Sequence, residues 1–168
     1  MSKLKIGIIG CGNIANTKHL PNLAKFADRA EVVAFCDIDE QKAIDTKEKY
    51  GTPDAKVFTD YRELIKLDLD AVHVCTPNRS HSEISVAAMK AGCNVMCEKP
   101  MAINTEEAKA MVDAAKETGK LLTIGYQNRF RVDTLALKQM AVDGDLGEIY
   151  MAKAHALRRR GIPTWRVF

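Results

Sequence analysis

This chain of 168 residues has no apolar run long enough to cross a membrane, and no charged-then-apolar leader precedes its first apolar segment. Its formal net charge is only +3, so long-range attraction to nucleic acid or to a membrane surface is not expected. The one dense basic run, Arg158-Arg159-Arg160, lacks interleaved aromatic residues and is interpreted as a solvated strand end or a substrate-facing edge. The composition, 46% hydrophobic and 28% charged, is typical of an ordinary globular protein.

Cysteine pairs with the spacing of a zinc site are also missing. Cys93 and Cys97 are too far apart in sequence for a CxxC pair and have no histidine cluster near them, so no metal site is predicted. The count of five cysteines is odd, and most of them lie in apolar runs, which favours reduced, buried thiols and a cytoplasmic location.

Apolar strand-like runs alternate with helix-like stretches, without an internal repeat, and this alternation predicts a parallel sheet. The expected fold class is α/β, a doubly wound parallel sheet of six strands in the order 3-2-1-4-5-6. The strands are predicted within Leu4–Ile9, Glu31–Asp37, Lys56–Phe58, Ala71–Cys75, Asn94–Cys97 and Leu121–Ile124.

The predicted helices are marked by their caps and breakers. Asp60 and Asn104 are placed to cap helix starts, and Gly51, Gly92 and Gly119 are placed to end helices. The helices are expected at 13–26 with a break at Pro21, at 40–50, in a short piece after Asp60, at about 80–91 and from 104 to about 118.

The most informative segment is the first strand, which passes straight into a glycine turn and then a helix. Gly10 suits the tight turn, Gly12 lets the backbone approach a pyrophosphate, and Ala15 is small enough for close packing of helix on strand. The amides of the helix start, at Asn13 and Ile14, would face the phosphates. The run therefore predicts a bound dinucleotide, with an ordinary turn as the alternative.

Asp37 ends the second strand, where this fold expects the group that holds the ribose hydroxyls. Its carboxylate would repel a 2′-phosphate, and Ile38 follows it where an NADP site would place Arg or Lys. NAD is therefore the favoured cofactor and NADP the less favoured one, with Lys42 nearby as the residue that keeps NADP open. The alternative for Asp37 is an exposed acid at a strand end.

Polar loops follow the fourth, fifth and sixth strands, and a parallel sheet brings them to one edge. They are Cys75–Asn78 with His81, Glu98–Pro100, and Gly125–Phe130. With the glycine turn at Gly10, Gly12 and Ala15, the C-T-P-N-x-x-H element at 75–81 and the E-K-P element at 98–100, the chain resembles the Gfo/Idh/MocA family of nicotinamide-dependent sugar and cyclitol oxidoreductases. The runs Gly125–Phe130 and Leu146–Ile149 also look like that family.

The resemblance implies that Lys99 contacts substrate and nicotinamide. Removing a hydride from a carbinol also requires removing its hydroxyl proton. A lysine ammonium beside a cationic nicotinamide would be pushed toward its neutral form, which could act as the base or as a relay. The alternative is a solvated loop lysine.

The resemblance assigns further residues to the cofactor site. Thr76, Pro77 and Asn78 would line it, and Glu98 would lie near the nicotinamide ribose or amide, with a structural ion pair as its competing role. Asn128 is a candidate ring or substrate contact. His81 is either part of the nicotinamide pocket or a helix-start histidine satisfied by local backbone. His73 is interpreted as a structural residue. His19 either lines the cofactor turn or caps local structure. Trp165 is considered as a residue that approaches the cofactor.

Residues 1–125 are predicted to form the dinucleotide-binding Rossmann domain. Residues 126–168 would form a connecting helix, Val132–Val142, a turn at 143–147 and the first strand, Glu148–Leu157, of a truncated α+β substrate domain. A strand without a partner is a sticky edge, so a homo-oligomer is possible. Because the family usually runs to about twice this length, little turnover is expected from this chain alone.

The leading functional hypothesis is the NAD-binding portion of an oxidoreductase that acts on a sugar, sugar-derivative or cyclitol alcohol. One alternative from the same superfamily is an NAD-dependent glycoside hydrolase. Another is a non-catalytic NAD-sensing or interaction protein, because one fold serves many functions.

Overall fold

The structure is a computed structural model that describes residues 2–157 and 159. The expectations for Trp165 and for the full run Arg158-Arg159-Arg160 therefore fall outside the described residues. In the part of the chain that is described, no helix is both long and apolar enough to span a bilayer.

Six parallel strands form one sheet in the order β3-β2-β1-β4-β5-β6, which confirms the predicted doubly wound topology. Chain order reverses between β1 and β4, so this is the switch point where such folds bind ligands. The strands are β1 (Leu4–Ile9), β2 (Ala30–Cys36), β3 (Lys56–Phe58), β4 (Ala71–Val74), β5 (Asn94–Cys97) and β6 (Leu122–Ile124).

Helices connect these strands, and their ends follow the capping residues of the sequence. The Asn104 side chain accepts a hydrogen bond from the Glu107 amide, and Gly119 ends the same helix in the left-handed conformation, φ +67°. The Asp60 side chain likewise accepts from the Arg62 amide. The helices are α1 (Leu20–Leu23), α2 (Glu40–Tyr50), α3 (Tyr61–Leu64), α4 (His81–Lys90), α5 (Thr105–Thr118) and α6 (Val132–Asp143).

The segment after the glycine turn is not one regular helix. A π-helical turn at Ala15–His19 leads into α1, and a 3-10 turn at Ala24–Phe26 follows. Pro21 lies in the first turn of α1, where its missing N–H removes no intrahelical bond. The helical segment changes from π to α geometry just before this proline, between His19 and Leu20, and its backbone dihedrals stay helical there.

The core lies on both faces of the sheet because side chains alternate along each strand. Ile8 packs on one face with Phe35 and Leu20, whereas Ile9 packs on the other with Val74 and Met111. All five cysteines are buried and free, as the sequence predicted.

A second compact unit begins at Tyr126 and contains α6. Gly144 and Gly147 both have positive φ, +82° and +64°, so the predicted turn at 143–147 is confirmed. The strand predicted over Glu148–Leu157 is not formed, and these residues are exposed without regular secondary structure. A strand exists only through ladder hydrogen bonds to a neighbour, and none of the described residues supplies that neighbour.

Candidate functional site

The carboxyl ends of the strands lie level with one another at one edge of the sheet. In the ladder, Ile9 is opposite both Cys36 and Val74, and Cys97 is opposite both Val74 and Ile124. The loops that follow these residues carry the glycine turn, Asp37, Thr76–Asn78 and Glu98–Lys99. The predicted convergence of these loops at one edge is therefore what the structure has.

The glycine turn has two glycines that are required for different reasons. Gly10 has φ +92°, and a Cβ there would lie 2.7 Å from the carbonyl carbon and oxygen of Cys75, so only glycine fits. At Gly12 a Cβ would meet no atom within 4 Å, so the missing side chain leaves open space outside the turn. A phosphate group could approach the backbone there. Ala15, at 0% exposure, is packed against the sheet.

Asn16 holds the glycine turn in place, a role that the sequence reading missed. Its side-chain amide donates to the carbonyl oxygens of Cys11 at 2.9 Å and Gly12 at 3.2 Å. The same amide donates to the hydroxyl of Thr46 on α2. The amides of Asn13 and Ile14 lie at the start of the helical segment, where the first N–H groups have no intrahelical acceptor and could donate to a ligand. An Asn one turn after a glycine run is the signal that could have indicated this contact.

Asp37 is half-buried and its carboxylate is fixed by backbone donors. Oδ2 accepts from the Cys11 amide at 2.8 Å and Oδ1 accepts from the Asp39 amide at 3.0 Å. The interpretation as a loose strand-end acid is therefore wrong, since the carboxylate is tied to the glycine turn. Each oxygen has a further lone pair that could accept from a ribose hydroxyl.

Two neighbours of Asp37 bear on the choice between NAD and NADP. The Lys42 ammonium lies 3.0 Å from an Asp39 carboxylate oxygen, which raises the pKa of Lys42 and lowers that of Asp39. Ile38 is 95% exposed and offers an apolar surface beside Asp37. The cation that could have paired with a 2′-phosphate is thus already paired with a carboxylate.

His81 joins the loops after β4 and β5. Its ring nitrogens lie 2.8 Å from the carbonyl oxygen of Pro100 and 2.9 Å from that of Thr76, and the side chain is fully buried. The expectation that His81 itself lines the nicotinamide pocket is revised, because both nitrogens are engaged by backbone. Its contacts position the Thr76–Asn78 loop against the Lys99–Pro100 bond, which is cis.

Glu98 and Lys99 follow β5, which lies between β4 and β6 in the sheet. The Lys99 side chain is exposed, and its backbone amide donates to Glu98 Oε2 at 3.2 Å. Glu98 Oε1 lies 2.8 Å from His19 Nε2, and the two side chains are only 14% and 7% exposed. Gly125 makes room for this carboxylate, since a Cβ there would come within 3.2 Å of Oε1.

The Glu98 contact continues inward to a second histidine. His19 Nδ1 lies 2.9 Å from His73 Nδ1, with the two rings edge to face. Burial and the neighbouring His19 lower the pKa of His73 to about 4, so His73 is neutral near pH 7. Burial alone would raise the pKa of Glu98, but the hydrogen bond and charge of His19, helped by Lys99, hold it below its ordinary value.

The remaining candidates that the structure describes do not form a second reactive centre. Burial raises the pKa of the Cys11 and Cys36 thiols to about 12 and that of Cys75 further, so these sulfurs are poor nucleophiles at neutral pH. Within residues 2–157 and 159, no three metal-ligating side chains come together. Asn128 lies exposed on a 3-10 turn, Gln127–Phe130, of the second unit.

Residues 4–126 match the model of an oxidoreductase family with an NAD-binding Rossmann fold, the Gfo/Idh/MocA family. A curated relative, D-glucoside 3-dehydrogenase of Escherichia coli, is 43% identical over 99% of this chain and 47% of its own length. The chain thus spans about half the length of this relative.

Solved structures of related enzymes are also similar to this chain. The WlbA dehydrogenase from Bordetella pertussis, in complex with NADH and UDP-GlcNAcA, superposes with a TM-score of 0.82 at 31% identity, over 89% of this chain and 45% of that one. KijD10, a 3-ketoreductase from Actinomadura kijaniata in complex with NADP, has a TM-score of 0.75 at 27% identity, over 85% of this chain and 43% of that one. The likeness extends to a protein with NADH bound and to one with NADP bound.

Proposed function

Because this chain belongs to the Gfo/Idh/MocA family of oxidoreductases and carries its NAD-binding Rossmann fold, we propose that it forms the cofactor-binding part of a dehydrogenase. The reaction would move a hydride between a nicotinamide and a secondary alcohol of a sugar, sugar derivative or cyclitol. The observation that carries the proposal is the shared edge of the glycine turn, the fixed Asp37 carboxylate and the exposed Lys99.

The residues at this edge fit NAD. The open space at Gly12 and the amides of Asn13 and Ile14 would receive the pyrophosphate, with Gly10 required for the turn itself. The Asp37 carboxylate would accept from both ribose hydroxyls. A 2′-phosphate would meet this carboxylate, and Lys42 is already paired with Asp39, so NAD is favoured over NADP.

Lys99 is proposed as the residue that handles the proton. When bound, the nicotinamide accepts or returns the hydride, and the substrate hydroxyl must lose or regain a proton at the same time. The Lys99 side chain is exposed at the edge, where its amine in the neutral form could accept this proton at Nζ.

The other residues of the edge are proposed to shape the nicotinamide end. Thr76, Pro77 and Asn78 form the wall after β4, and Ser80 Oγ bonds Thr76 and the Pro77 carbonyl to hold that wall. His81 positions this wall, and Glu98 carries a negative charge beside it. Residues 1–125 would form the cofactor domain, and the second unit, which carries Asn128, would begin the substrate domain.

The substrate class rests on relatives whose names describe reactions at sugar carbons, a glucoside 3-dehydrogenase and a 3-ketoreductase. These names favour redox chemistry over the glycoside-hydrolase alternative. A purely sensory role is less favoured because Lys99 stands exposed at the cofactor edge.

Calorimetric titration of the chain with NAD and with NADP tests the proposal. NAD should bind more tightly than NADP, and Asp37→Ser should weaken NAD binding and reduce the difference between the two dinucleotides. Asp54→Asn is the matched control, because Asp54 is an exposed acid in the loop between α2 and β3. Failure of the unchanged chain to bind either dinucleotide would refute the cofactor assignment.

A further inference from the structure

Three side chains form a line of hydrogen-bond contacts from the interior of the sheet to its carboxyl edge. His73 comes from the middle of β4, His19 from the π-helical turn after the glycine turn, and Glu98 from the loop after β5. The contacts are 2.9 Å between the two histidines and 2.8 Å between His19 and Glu98. Three separate elements thus contribute to one buried polar chain.

The protons on this chain follow from the chemistry of its members. An ionised carboxylate only accepts, so His19 Nε2 must donate to Glu98. A neutral His19 then has a bare Nδ1, to which His73 Nδ1–H donates; a protonated His19 donates to a bare His73 Nδ1 instead. Because His73 can supply either tautomer, the donor that faces Glu98 is kept in both charge states of His19.

The Glu98 carboxylate is held by one hydrogen bond to each of its oxygens and by the close backbone of Gly125. His19 bonds Oε1, the Lys99 amide donates to Oε2, and the backbone of Gly125 lies against Oε1 where no side chain would fit easily. The titratable groups facing it are the ring of His19, inside, and the side chain of Lys99, which is exposed and screened by solvent.

We propose that His19, backed by His73, is a positioning residue that keeps an ionised Glu98 carboxylate fixed at the nicotinamide end of the bound dinucleotide, so that the chain binds oxidised NAD+ more tightly than NADH. The inference rests on the proposed function, since it requires the dinucleotide to bind along this edge. It adds two histidines that would not touch the cofactor and a preference between its two redox states.

The physical reason lies in the one charge that separates the two ligands. The nicotinamide ring is cationic in NAD+ and neutral in NADH, while the adenosine and pyrophosphate groups are the same. Contacts with those common groups cancel in the ratio of the two affinities. The interaction of a fixed carboxylate with the ring does not cancel, because only the oxidised ring is charged. A single screened charge pair of this kind supports a ratio change of about fivefold to tenfold.

The test is titration of the full chain and its variants with NAD+ and with NADH at neutral pH. Glu98→Gln and His19→Leu should each lower the NAD+ to NADH affinity ratio by about fivefold to tenfold. His19→Gln keeps a side-chain N–H donor and should retain more of the preference than His19→Leu. His73→Val, which suits a strand, should give a smaller loss. Ser85→Ala is the matched control, a buried polar group outside the chain of contacts, and should leave the ratio unchanged.

Circular dichroism establishes that each variant is folded, and the near-isosteric Glu98→Gln keeps the test usable should a histidine variant unfold. Nitrogen-15 spectra of the histidines give a second measurement without cofactor, in which His19 should carry a proton on Nε2. A ratio that stays the same in Glu98→Gln and His19→Leu, or a His19 protonated only on Nδ1, would overturn this inference alone. Absence of binding by both NAD+ and NADH would instead overturn the proposed function, and the inference with it.

Discussion

Acidification is expected to destabilise this protein through His73. Burial, and secondarily the charge of His19, hold the pKa of His73 at about 4 in the folded chain, against an ordinary value of 6.5. The unfolded chain therefore binds a proton at a pH where the folded chain does not. Stability from the neutral His73 is fully present above pH 6.5 and is lost as the pH falls toward 4.

The magnitude follows from the size of the pKa difference. Each pKa unit corresponds to about 1.4 kcal/mol, so the full loss below the folded-state pKa would be about 3 kcal/mol. Between about pH 7 and about pH 5 the same linkage gives a loss of about 2 kcal/mol. That is a large part of the stability of a typical domain.

Urea unfolding of the chain and of His73→Val, followed by far-ultraviolet circular dichroism over this pH range, measures the effect. Carboxylates titrate in both proteins, so the difference between the two unfolding free energies reports His73 together with its contact to His19. Acidification from about pH 7 to about pH 5 should favour the variant by about 2 kcal/mol. His155→Gln, at an exposed histidine, should follow the unchanged chain. A difference between chain and His73→Val that does not vary with pH would refute the reasoning.

Further expectations follow from single contacts. Gly10→Ala should cost at least about 2 kcal/mol of unfolding free energy in thermal denaturation, because φ is +92° and the new Cβ would strike Cys75; an unchanged melting temperature would contradict this. Gly12→Ala should leave the melting temperature unchanged but weaken NAD binding in calorimetry, and unaltered affinity would argue against a pyrophosphate at this turn. Asn104→Ala should cost about 1 kcal/mol through the lost bond to the Glu107 amide, and urea unfolding that matches the unchanged chain would count against the cap. The five buried cysteines should not react with a thiol reagent until the chain is unfolded, and rapid labelling of the native protein would contradict their burial.

Much of the fold is predictable because its signals are local. Asn104 and Gly119 mark the two ends of α5 by capping chemistry that involves residues only a few positions away. Asp37 could be assigned to the end of β2 for a similar reason, since an apolar run stops at a carboxylate. Its bond to the Cys11 amide could not be predicted, because it joins residues 26 positions apart through the sheet.

One expectation failed, and one open alternative was decided, where the outcome depends on a neighbour rather than on the pattern. The apolar residues of 148–157 suggested a strand, but periodicity does not supply the second strand that a ladder needs. For His81 the sequence left two roles open: it either lines the nicotinamide pocket or bonds to local backbone. The carbonyl groups of Thr76 and Pro100 decide this in favour of backbone, and they face His81 only once β4 and β5 are side by side.

The contact of His19, His73 and Glu98 was missed because its members are 54 and 79 positions apart in sequence. The order and register of the strands nevertheless imply that these three residues lie on the same face of the sheet. His73 is opposite Ile8 in one neighbouring strand and Met96 in the other, and paired residues of parallel strands point to the same face. Ile8 packs on the face that carries Leu20, the residue after His19. Glu98 is two positions beyond Met96, so the period of two returns it to that face as well. A histidine in the middle of a buried strand is therefore better judged against its two ladder partners than alone.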